Sequence, residues 1–222
     1  MALANSIRPL QHHLEYIYGV SVPLDVDDFL ITDPELARRL GDADQRETPE
    51  KLLISQDQED QVDIALYLDS ELVARINADD PLAQLHDDNL VDFCTALEGV
   101  SHFLYLTWNF TLSREVRPLE LEMQAEVDKY IAIAILLSRQ CQGRVPARLR
   151  HWLFERCHFD EALAAVESRR YQEANRYAAK YCYQLEQRYL RREAPPTALI
   201  QDLRTFYRLG LQDKIRRIEG PA

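Results

Sequence analysis

Apolar residues recur along this chain at two different periods, and the change from one to the other divides it. Ile7, Leu10, Leu14 and Ile17 fall at helical spacing, and Gly19 suits the position just past a helix end. VDDFLIT, residues 26–32, is expected to be extended. Asp33-Pro34 reads as an N-cap and first helical residue, with Gly41 closing a short helix. A polar connector, GDADQRETPE, follows. KLLIS and VDIALYL then flank the polar DQEDQ, and Val62, Ile64, Leu66 and Leu68 alternate with Asp63, Ala65 and Tyr67. That period of two predicts a β-hairpin over about 51–68 with one buried face. Asp69-Ser70 is expected to cap a helix bearing Leu72, Val73 and Ile76, and Asp80-Pro81 to start another. From Asn89, an expected N-cap, helical periodicity runs almost to the end, punctuated by Gly143 and Pro146, by Pro195-Pro196 and by Gly210. The expected fold class is α+β and predominantly α-helical. A small helix and β-hairpin part over residues 1–85 packs on a helical bundle over 86–222, as one compact unit.

Two of the helices break their own pattern. FCTALEGVSHFLYLTWN, residues 93–109, has a main apolar face of Phe93, Cys94, Leu97, Val100, Leu104 and Trp108. Glu98 and His102 lie on its flank beside Val91 and Leu106. In PLELEMQAEVDKYIAIAILLS, residues 118–138, the apolar stripe runs through Leu119, Met123, Tyr130, Ile133 and Leu137, and Glu126 falls in its middle. A carboxylate in a core stripe costs several kcal/mol unless it is protonated, paired or metal-bound. The short connection FTLSREVR makes the two helices antiparallel neighbours, which places Glu126 near His102. Glu98, His102, Glu122 and Glu126 therefore form a candidate metal cluster for iron, manganese or zinc. The spacing is Glu-x-x-x-His, once, and matches neither the paired Glu-x-x-His of di-iron bundles nor His-Glu-x-x-His. The competing expectation is structural: a buried Glu126–His102 pair, or Glu126 against Arg169 or Arg176. His12-His13 and the set Cys141, His151, Cys157 and His158 lack metal-ligand spacing, and His86-Asp87-Asp88 precedes a helix start, where capping explains the acids better than metal ligation.

Near the C-terminus, SRRYQEANRYAAKYCYQLEQRYLRR carries a stripe of Tyr171, Ala174, Ala178, Tyr181, Cys182, Leu185 and Tyr189. Its other faces bear Arg169, Arg170, Arg176, Lys180, Arg188, Arg191 and Arg192. Arginine with tyrosine suits a protein interface, and also RNA.

Charge sharpens that contrast. The net charge of −11 divides into −18 over residues 1–138 and +7 over 139–222. Such an asymmetry speaks of partners and fields, or of two parts that attract each other within one fold. The overall negative charge disfavours nucleic acid. An apolar content of 46% excludes a disordered chain. The start has no basic end followed by an apolar run, so no secretory signal is expected. The longest apolar run, Ile131 to Leu137, is far short of the roughly 20 residues that span a bilayer, so no membrane partner is expected. Four widely spaced cysteines suggest free thiols in a reducing compartment, hence the cytoplasm. No glycine-rich phosphate loop, nucleophile elbow or kinase-like set is present, which excludes the commonest legible chemistries but not enzymes as a class. Three functional expectations follow. The first is a non-enzymatic interaction or regulatory protein, meeting a protein partner or a second copy through the basic Tyr/Arg-rich helix. The alternatives are a metal-dependent helical-bundle enzyme using the Glu/His cluster, and an RNA-binding module.

Overall fold

The computed structural model describes residues 6–41, 48–56, 62–155, 164–191 and 196–220. Among them, nine α-helices and a three-stranded sheet give an α+β fold dominated by helix. Helix α1 (Arg8–Tyr18) buries Leu10, Leu14, Ile17 and Tyr18 and ends at Gly19, whose φ of 57° is the left-handed conformation expected there. The residue preceding its first turn, Ile7, has no side-chain acceptor. Asp27 supplies one from further along the chain, accepting the N–H groups of Ile7 at 2.8 Å and Arg8 at 3.2 Å. This is one reason VDDFLIT is not uniformly extended. Val26–Phe29 is a 3₁₀ turn capped by the Asp25 side chain, and only Leu30–Ile31 (β1) is strand.

Helix α2 (Pro34–Leu40) begins at the Asp33 cap as expected. The hairpin joins β2 (Glu50–Gln56) to β3 (Val62–Leu68) in antiparallel register, with Glu50 opposite Leu68; its connection, 57–61, lies outside the described residues. Strand β1 pairs parallel to β3, giving the order β1-β3-β2. Helix α3 (Ser70–Ala78) is capped by Asp69, which accepts from Glu71 and Leu72. Asp80-Pro81 makes a single turn rather than a helix. Leu85 is instead drawn into the core, its carbonyl taken by Gln140 at 3.0 Å. Helix α4 (Asp87–Thr111) therefore starts two residues before Asn89, which sits in the first turn and accepts the His86 N–H at 2.9 Å.

Helices α4 and α5 (Pro118–Gln140) are antiparallel. Glu98 meets Lys129, Ser101 meets Asp128 and Tyr105 meets Glu120, pairs that close toward the connection. Helix α6 (Leu149–Glu155) is short, and α7 (Ala165–Leu185) lies against α5. Where one continuous helix to residue 192 was expected, Glu186–Leu190 is a π turn. It aims Glu186 at Tyr130, whose hydroxyl donates at 2.9 Å, and Tyr189 at Asp202, also at 2.9 Å.

Helices α8 (Pro196–Tyr207) and α9 (Leu211–Glu219) return to the start of the chain. Arg204 and Arg208 donate to the carbonyls of Tyr16, Ile17, Tyr18 and Gly19, satisfying the open end of α1. One buried apolar cluster includes Ile7, Leu66, Phe103, Tyr130, Tyr181 and Ile218. Among the described residues no helix is long and apolar enough to cross a membrane.

Candidate metal centre

Steps of about 100° per residue put Cys94, Glu98 and His102 on one stripe of α4, and Glu122, Glu126 and Lys129 on one stripe of α5. The two stripes face each other. Strand β2 contributes its first residue, Glu50, and α7 contributes Arg170. Gly99 makes the approach of the sheet possible. A Cβ there would stand 2.8 Å from both Glu50 Cγ and Leu66 Cδ1, so another residue would force those side chains to shift.

The resulting geometry has two halves. In one, the His102 ring lies between two acids, with Nδ1 3.5 Å from Glu50 Oε1 and Nε2 3.5 Å from Glu122 Oε2. Ligand atoms of Glu98, His102 and Glu122 all lie within 4.8 Å of one another. Ligands bound at about 2.1 Å to one tetrahedral ion sit about 3.4 Å apart, so the set would have to close by about 1.4 Å to seat an ion. His102 is only 6% exposed, and its Nε2 is buried without a hydrogen-bond partner, as is Glu50 Oε1. In the other half, Lys129 Nζ donates to Glu98 Oε2 at 2.9 Å and Glu126 Oε1 at 2.7 Å. Arg170 Nε stands 3.7 Å from Glu122 Oε1 and its guanidinium lies over the Tyr171 ring.

Protonation follows from burial set against these neighbours. Burial lowers the affinity of His102 for a proton, but Glu122 and Glu50 outweigh it and hold the imidazole well above its usual range. Burial raises Glu50 despite His102, and raises Glu126 despite Lys129. Glu98 is lowered, because Lys129 and His102 overcome its burial. Burial pushes the Cys94 thiol up to about 12. An ion bound at His102 would displace its proton, and four ionised carboxylates against Lys129 and Arg170 would then leave two negative charges, the complement of one divalent ion. Two carboxylates and one imidazole form a donor set for manganese, iron or zinc. Glu50, behind Nδ1, would orient the ring in the manner of carboxylate–histidine–metal triads. Three protein ligands would leave a coordination place for water, on the side of Glu98, which is 28% exposed.

The acid facing His102 on α5 is thus Glu122, one turn before the expected Glu126, whose own partner is Lys129 rather than His102, Arg169 or Arg176. Glu50 and Lys129 had gone unread. Lys129 was legible as Glu-x-x-Lys, the spacing of a helical ion pair; Glu50 was not, because a strand's partner is set by tertiary packing.

Much of the basic helix's charge is paired within the chain, although Arg176, Lys180 and Arg191 stay exposed. Arg176 and Lys180 meet Glu219 at 3.4 and 2.6 Å, Arg188 meets Asp202 at 3.8 Å, and Arg191 meets Glu186 at 3.5 Å. Arg170 belongs to the cluster just described, Arg169 is exposed, and Arg192 lies outside the described residues. So do Cys157 and His158. His86 pairs with Asp79, and His151 with Glu155.

A second polar cluster lies on the opposite face of α5. Lys214 of α9, fully buried, donates to Gln124 at 2.6 Å and to the Tyr105 hydroxyl at 2.8 Å, and Tyr105 donates to Glu120 at 2.6 Å. Gln124, Ser101 and Tyr18 all donate to Asp128. Burial lowers Lys214 to about 7 and raises Asp128 to about 6, against the pull of those donors. The adjoining Tyr207 hydroxyl, on a ring stacked against Tyr18, has no partner. The chain matches no protein-family model, no curated protein and no solved structure.

Proposed function

We propose that this protein binds one divalent transition-metal ion through Glu98, His102 and Glu122, with Glu50 orienting the imidazole, and that it is a metal-dependent enzyme. The observation that carries the reading is His102 Nε2, buried without a hydrogen bond and 3.5 Å from Glu122 Oε2, in a three-ligand set whose atoms lie within 4.8 Å of one another. Native interiors rarely leave such atoms unsatisfied without an ion or water to meet them. Bound there, an ion would acidify a coordinated water and polarise an oxygen of a substrate. The free thiols of Cys94, Cys141 and Cys182 fit a reducing compartment such as the cytoplasm. A partner-binding role for the basic helix has less support, because most of its described charges already meet acids of the same chain.

The test is elemental analysis of tag-free protein beside His102→Ala and Glu122→Gln, followed by titration with manganese, iron(II) and zinc. Near-stoichiometric metal, lost in both variants, is the expected result. Metal-free protein that also fails to take up any of the three ions would reduce the cluster to an ion-pair network.

A further inference from the structure

The same cluster holds a second cation position, and the chain fills it itself. Glu98 is shared: its carboxylate belongs to the three-ligand set, while its Oε2 accepts from Lys129. On the far side of the ammonium stands Glu126, whose Oε1 accepts from it at 2.7 Å. Glu98 and Glu126 are two carboxylates, a metal-ligand type, flanking one largely buried positive charge. Two cation positions bridged by a carboxylate are the plan of dinuclear helical-bundle centres. Here one of the two is taken by an ammonium that is 12% exposed and held at 2.7 and 2.9 Å.

Resting on the metal reading above, we propose that Lys129 is a built-in surrogate for a second metal ion, and that it restricts the centre to a single ion. An ammonium and a divalent ion compete for the same carboxylate oxygens, and the ammonium is tethered, so its effective concentration there is far above that of any free ion. Substituting a neutral side chain leaves Glu98 and Glu126 facing each other, partly buried and without their cation. That arrangement is strongly unfavourable unless another cation enters. Removing the Glu126 charge as well should abolish the demand.

The experiment counts Mn2+ bound at equilibrium, with electron paramagnetic resonance to separate isolated from spin-coupled ions, in the parent chain, Lys129→Met and Lys129→Met/Glu126→Gln. The expected counts are one, two and one, with a spin-coupled signal only in the single variant. One ion in both the parent and Lys129→Met would overturn the inference and leave the metal reading standing. No ion in any of the three would overturn both, and two ions in the parent would overturn the restriction to one. If Lys129→Met does not fold in metal-free buffer, refolding by Mn2+ with two ions bound supports the proposal, and failure of Mn2+ to rescue it overturns it.

Discussion

The two polar clusters on opposite faces of α5 are built from similar materials and end in different states. On one face, Glu120, Gln124 and Asp128 recur one turn apart, and each is hydrogen-bonded: to Tyr105, to Lys214, and to Ser101 and Tyr18. On the other face, Glu122, Glu126 and Lys129 recur almost as regularly, yet the buried Nε2 of the histidine opposite them meets Glu122 Oε2 only at 3.5 Å, an ion-pair distance without a hydrogen bond. The first arrangement is what a core needs to hold polar groups, since satisfied networks specify packing and fix the docking of a terminal helix. The second brings three metal-ligand types within 4.8 Å of one another, which the first does not.

Breaking the unsatisfied side should change binding, and breaking the satisfied side should change stability. The largest effect is expected from His102→Ala, which removes the sole imidazole of the set. Metal affinity, read by competition with a chromophoric chelator, should fall by more than the about 100-fold that loss of a supporting residue costs. A fall of under tenfold would move the ion elsewhere. Lys214→Ala comes next. It empties a fully buried site and strands Gln124 and Tyr105, so urea denaturation should show a loss of about 3 kcal/mol. Metal affinity should stay within about twofold, because the lysine lies beyond α5; a larger change would show that the two clusters are coupled.

Glu50→Gln sharpens the comparison from the supporting side. The fold should persist, while metal affinity drops by about 10- to 100-fold through loss of the acceptor behind His102 Nδ1. Unchanged affinity would remove Glu50 from the site. The smallest expected effect is a pH dependence. Lys214 is lowered from its ordinary value to about 7, so the unfolded chain binds the proton more tightly between about pH 7 and 10. Stability should therefore rise with pH across that window, by at most about 1.4 kcal/mol per pH unit. Asp128, raised to about 6, acts in the opposite sense at lower pH, where stability falls as pH climbs from about 4 to 6. Thermal melts of Lys214→Met should lose the upper rise and keep the lower fall. A Lys214→Met curve parallel to that of the parent would assign the rise to other groups.

Much of the fold was legible because its signals are local. Gly19, Asp33 and Asp69 mark helix ends through their own backbone and side-chain chemistry, and the alternation from Val62 to Leu68 states a strand on its own. Asp80-Pro81 misled because a cap makes a helix only when the residues after it are free to be helical, and Leu85 was wanted in the core. On α5 the expectation of one buried stripe singled out Glu126. Helix α5 is covered on both faces, so Glu120, Glu122 and Asp128 are more deeply buried than Glu126.

The division of charge along the chain also finds its place in the fold. Arg170 reaches Glu122, Arg204 and Arg208 close the end of α1, and Lys214 enters between α4 and α5, so basic residues of the last third serve the acidic first part.

By itself, the sequence determined the helices, the hairpin and the presence of acids and a histidine where apolar residues belong. These follow from periodicity and capping, which act over a few residues. Only the tertiary structure decided the partners. Glu50 comes from a strand 52 positions before His102, and its approach depends on the missing Cβ of Gly99. Lys214 lies 90 positions beyond Gln124. Which polar atom is satisfied and which is left bare depends on fractions of an ångström between elements distant in the chain, and no local pattern encodes that distance.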